Sequence, residues 1–147
     1  MRIGTRAAAG PVLATTLSSV DAVGAVVSSS LSYGRPIAGT ASSVVASFTP
    51  RMALAAGEAI FLLLPAFSRG ADKALTCTML GGKVTAPCSW HDGDRVLTVR
   101  AGAPLLPLEE VTVEIPASAG IKLPYPGIAI NDVQLQLGLN SSVNPKP

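Results

Sequence analysis

The chain is 147 residues long, which suits one domain able to bury its own core without a metal or cofactor. Eleven Lys and Arg against nine Asp and Glu leave a net charge of +2, scattered from Arg2 to Lys146, so neither nucleic acid nor an anionic membrane is an expected partner. Hydrophobic residues make up 48% but aromatics only 4%, which points to sheets packed from Ala, Val, Leu and Ile.

Residues 1–24 follow neither a helical nor a strand period and read as an arm, a linker or a poor leader. Arg2 and Arg6 would supply a leader's basic end, but Pro11, the Thr and Ser residues and Asp21 dilute its apolar part. The pattern changes at Ala25, where a domain over 25–140 is expected to begin. AVVSSSLSY carries strand formers up to the turn signal Gly34-Arg35-Pro36. In ASSVVASFT, Val44, Ala46 and Phe48 alternate as a half-buried strand before Pro50.

The central stretch is Ala53–Pro65, ALAAGEAIFLLLP. Its apolar run is far shorter than the ~20 residues a membrane helix needs, so it reads as a core strand over Glu58–Leu64 and no membrane span is expected. The chain writes it again as APLLPLEEVTVEIP: Leu54 aligns with Leu105, Glu58 with Glu109, Ile60 with Val111, Leu62 with Val113, Leu64 with Ile115 and Pro65 with Pro116, each 51 residues on. The echo suggests two similar halves packed around one core.

Leu75–Trp90 reads as a hairpin turning at Gly81-Gly82-Lys83. With Gly82 and Lys83 as the loop, Cys77 faces Cys88 directly and Pro87 faces Thr78, a spacing that a disulfide tolerates. A Cys77–Cys88 disulfide implies an oxidising, extracellular compartment; two buried free thiols are the other reading. After the turn His91-Asp92-Gly93-Asp94, Val96–Arg100 is a further strand, and Glu109–Ile115 sends Val111, Val113 and Ile115 inward. The last strand is read as running past Gly127 to Leu139 with Val133, Leu135 and Leu137 in or near the core, and residues 141–147 read as a tail. Seven to eight short strands with frequent turns make the expected fold all-β, an antiparallel sandwich.

The chemistry on offer is thin. His91 is the only histidine, and beside Asp92 and Asp94 it suggests a general base with an orienting acid, yet Asp-Gly at a hairpin is ordinary turn chemistry. Cys77, Cys88 and His91 fall one ligand short of a structural zinc site, and Asp92 with Asp94 is too sparse for a calcium loop, so no metal and no cofactor are expected. Glu109 and Glu110 are strand neighbours and point apart. No nucleophile elbow or phosphate loop occurs, so no catalytic residue is assigned. Trp90 and Tyr125 are candidates to stack a sugar, though a Trp beside a cysteine more often packs in the core. Asn140-Ser141-Ser142 is an N-glycosylation sequon.

The succession SSVVASFTP, ALAAGEAIFLLLP, the hairpin ending in CSW, DGDRVLTV and EEVTVEIP resembles the immunoglobulin-like sandwich repeats of large secreted surface glycoproteins of algae and protists, over Ala25–Leu139. Two departures are that a single module is present and that the antibody-type Cys and Trp spacing is absent. The resemblance implies a structural role in a cell coat or flagellar hair. The expected function is an extracellular module of a fibre, coat or adhesive assembly, acting by contact with copies of itself or with neighbouring modules; the alternative is a carbohydrate-binding module, with Trp90, Tyr33 and Tyr125 as its aromatic candidates.

Overall fold

The computed structural model describes residues 26–140 in full; before them it describes only the backbone of four two-residue strands, β1 (Arg2–Ile3), β2 (Arg6–Ala7), β3 (Gly10–Pro11) and β4 (Thr15–Thr16). These pair as β1 with β4 and β2 with β3, so the segment expected to be an irregular arm contains paired backbone. The rest of residues 1–25 and the tail 141–147 lie outside the described residues.

The remaining strands are β5 (Val26–Tyr33), β6 (Val44–Pro50), β7 (Ala59–Leu63), β8 (Lys73–Met79), β9 (Val84–His91), β10 (Val96–Arg100), β11 (Val111–Ile115) and β12 (Gln136–Asn140), with one 3-10 turn at Ala117–Ala119. The expected all-β, antiparallel class is what forms. The expected separation into two sheets is not drawn by the hydrogen bonds, which run unbroken through one eight-stranded sheet in the order β12-β7-β10-β9-β8-β11-β6-β5. That sheet nearly closes around a core of aliphatic side chains in which Trp90, Phe48 and Phe67 are the largest fully buried groups. Strict alternation in β6 and β11 buries Val44, Ala46, Phe48, Val111, Val113 and Ile115 and leaves Thr112 and Glu114 outside, as their period of two requires.

The 51-residue echo is a structural relation. β6 pairs β11 with Phe48 opposite Val111, and β10 pairs β7 with Val99 opposite Ile60. Moving Phe48 forward and Val111 back by 51 positions turns the first pair into the second. Leu54 and Leu105 form an isolated antiparallel bridge and exchange both hydrogen bonds, at 3.0 and 2.8 Å. The flanking bonds obey the same swap: Gly57 N–H donates to the Ala101 carbonyl and Leu108 N–H to the Pro50 carbonyl, both at 2.7 Å. Gly57 and Leu108 also share a left-handed backbone, φ 88° and 65°. Residues 44–65 and 95–116 are therefore two copies of a strand–loop–strand unit, related by a local two-fold axis through the Leu54–Leu105 bridge.

Two expectations need correction. The hairpin between β8 and β9 has a four-residue loop, Leu80–Lys83, so Met79 faces Val84, Cys77 faces Ala86, Leu75 faces Cys88, and Pro87 faces Thr76 rather than Thr78. Left-handed φ values at Leu80, Gly81 and Gly82 make this longer turn, and Leu80 N–H donates to the Thr112 carbonyl at 2.9 Å. The register differs by an even number of residues, so both cysteines keep the inward face and meet as diagonal neighbours. The last strand is also shorter than expected. Asn131 takes φ 57°, the Asp132 carboxylate accepts the Gln134 N–H at 2.9 Å and its carbonyl the Leu135 N–H at 3.1 Å, so a turn occupies the ground where Val133 was to be buried. Val133 is 86% exposed, while Leu135 and Leu137 are half-buried against the core.

Candidate functional site

Sequence attention falls first on the turn after Trp90. Trp90 is fully buried, and its indole N–H donates to Asp92 Oδ1 at 2.9 Å. The same carboxylate oxygen accepts the backbone N–H groups of Arg69 (3.1 Å) and Gly70 (3.2 Å) and the Arg95 guanidinium (2.8 Å). Asp92 is thus a staple between the β7–β8 connection and the β9–β10 turn. The bond from the Trp90 indole, followed by that from Arg69 N–H, holds its pKa below the ordinary carboxylate value. Its role is structural, and with Trp90 sealed inside, that ring is removed as a sugar platform.

His91 points out of the sheet. Its Nε2 lies 3.3 Å from Ser89 Oγ and its Nδ1 4.0 Å from Asp72 Oδ2, a serine–histidine–aspartate line that sequence reasoning missed because Asp72 is nineteen positions away. The His91 and Asp72 side chains are 50% and 70% exposed, and water at an open surface screens the charge that such a relay would have to hold. Among the described residues no group of three or more His, Cys, Asp or Glu is arranged to hold a metal. Cys77 and Cys88 are joined, S–S 2.06 Å with Cα atoms 6.1 Å apart, and both are buried. Asn140 ends β12 and is exposed, as an acceptor must be, while Ser141 and Ser142 of its sequon lie outside the described residues. No helix among the described residues is long and apolar enough to cross a membrane.

A concavity lies where the sheet fails to close. β5 bonds only to β6 and β12 only to β7 within the eight-stranded sheet, and these two edges border one groove of about 460 Å³. Alternation sends Ser29, Leu31 and Tyr33 into it from β5, and Leu135 and Leu137 enter from the β12 side. Ala46, Leu62 and Leu64 form the floor, and the loop Ile128–Asp132 closes one end. Tyr33 packs against Phe67 with ring centroids 6.0 Å apart, and burial pushes its phenol pKa up. Asp132 is the sole ionisable carboxylate or base among the lining residues besides that phenol, so the groove presents aliphatic carbons and small polar groups. Beside it the 125–133 segment leaves Tyr125 (85%), Ile130 (92%) and Val133 exposed.

The groove was only partly visible in the sequence. The uncharged polar face of the last strand, Gln134, Gln136 and Gly138, marks one side as an open edge, but nothing in the order of residues says that β5 forms the other. A scan of protein families, a search of curated proteins and a search of solved structures each find no match to this chain.

Proposed function

We propose that this chain is an extracellular structural module of a fibre, coat or adhesive assembly, and that it works by contact rather than by catalysis. One observation carries the reading: two strand edges that have no further strand partner among the described residues face each other across a groove with an aliphatic floor, one that an extended backbone can satisfy on both sides. The occupant is an extended segment of a neighbouring module or a second copy, with aliphatic side chains at alternate positions to reach Leu62 and Leu64 and no charge in between. Neither edge carries the Lys or Pro that would discourage such pairing: β5 reads VVSSSLSY and β12 reads QLGLN. Exposed Ile130 adds apolar surface at the groove's end, and exposed Val133 extends the contact beyond it. The Cys77–Cys88 disulfide supports an oxidising compartment.

Light scattering on the full chain over a range of concentrations tests this. Ser29 is exposed and lines the groove, so Ser29→Arg should leave the melting temperature unchanged while abolishing self-association and strand capture. A chain that stays monomeric at high concentration, and that takes up no extended peptide of the stated pattern, would overturn the reading.

A further inference from the structure

The local two-fold relation allows each outward residue of one unit to be compared with its counterpart in the other. On β11 and just before it the outward positions are Glu110, Thr112 and Glu114; 51 residues earlier, on β7, they correspond to Ala59, which is buried, and to the half-buried Phe61 and Leu63. On β6 the outward positions Ser47 and Thr49 correspond to Thr98 and Arg100 on β10. One unit therefore shows water a row of carboxylates and hydroxyls, while the same fold in the other shows a ring and a guanidinium. The backbone requires neither Phe61 nor Arg100, since Thr112 and Thr49 serve at the equivalent places.

These departures converge. Strand register sets Gly138, Phe61, Thr98 and Ser89 in one row across β12, β7, β10 and β9 on the outer face. Gly138 puts no side chain over the Phe61 ring. A shallow cavity of about 300 Å³ on this face is lined by Phe61, Pro87, Ser89, His91, Thr98 and Arg100. No carboxylate lines it, and Arg100 makes only a long 3.4 Å bond to the Gly57 carbonyl, with no acidic partner among the described residues.

We propose that this outer face of β7, β10 and β9 binds an acidic saccharide. Phe61 offers a ring for the C–H face of a pyranose, and Ser89 and Thr98 offer hydroxyls to its hydroxyls. Arg100 takes a carboxylate or sulfate in a bidentate pair, with His91 as a second donor at the other end. An anionic group is needed because the Arg100 guanidinium has no carboxylate partner among the described residues. The site lies on the opposite face of the sheet from the groove and stands independently of it.

Isothermal titration of the full chain with a uronate oligosaccharide, a sulfated galactan oligosaccharide and a neutral cello-oligosaccharide tests the proposal and tells carboxylate from sulfate. At least one anionic probe should bind, about tenfold or more tighter than the neutral one, and its affinity should fall as salt rises. Phe61→Thr and Arg100→Thr copy the residues at the equivalent positions, so each should lower affinity about tenfold or more, exposed Arg100→Thr without changing the melting temperature. His91→Asn, at an exposed position, serves as a third variant should Phe61→Thr reduce stability. Equal binding of the neutral probe, no binding of any saccharide at millimolar concentration, or full affinity in Arg100→Thr and His91→Asn would overturn the proposal. So would equal binding of a polyglutamate peptide, which would mark the face as a plain anion patch.

Discussion

Leu54 and Leu105 sit where the two strand–loop–strand units cross, 1% and 2% exposed, each bonded to the other through both backbone groups. Truncating either to alanine removes three buried carbons from a place where the bridged backbone cannot collapse inward. The cost should therefore lie well within the range for buried leucines, about 3–4 kcal/mol each. A domain of this size is stable by roughly 5–15 kcal/mol, so each substitution removes a sizeable share and should lower the melting temperature by about 10 °C. Because the two residues occupy equivalent places about a local two-fold axis, their costs should match within about 1 kcal/mol. Because they are bridged, the double variant should depart from additivity by at least about 0.5 kcal/mol. Urea unfolding followed by the emission of Trp90, the only tryptophan and fully buried, measures all three variants. A cost below about 1 kcal/mol for one leucine beside a full cost for the other would refute the symmetric crossing.

Replacing both Cys77 and Cys88 by alanine opens a loop between residues 11 apart and should lower stability by about 3 kcal/mol, read as a shift of the urea midpoint that reductant reproduces in the wild type. The Asp92 staple predicts a pH dependence: its folded pKa is depressed, so its contribution is complete above the ordinary carboxylate value of about 3.9 and is lost as pH falls through the folded value. Asp92→Asn should be less stable at neutral pH and show a flatter acid limb in urea midpoints taken from neutral to strongly acid solution; an unchanged acid limb would assign acid unfolding elsewhere. A Cβ at Gly102 would lie 2.5 Å from the Thr85 carbonyl oxygen and 2.6 Å from Val84 Cγ1, so Gly102→Ala should cost about 1–3 kcal/mol by thermal melting. Gly93→Ala, where that position is open, should stay within about 0.5 kcal/mol.

Much of the fold was legible because a half-buried strand repeats every two residues, and that period is written locally. Val44, Ala46 and Phe48, or Val111, Val113 and Ile115, announce both strand and inward face, and Cys77 with Cys88 announces a bonded hairpin whatever its loop length. The alignment of Leu54 with Leu105 even contained the symmetry, since identical local patterns fold alike. What the order of residues could not supply is which distant strands meet. Hairpin register shifted because Leu80 bonds to β11 rather than to its own partner strand, and Val133 stayed in water because the Asp132 carboxylate caps a turn that period alone reads as strand. The single sheet, the groove between β5 and β12, and the gathering of Phe61, Thr98, Ser89 and Arg100 on one face all depend on strand pairing across long separations. That pairing is decided by the collective packing of the core, which no local window of sequence records.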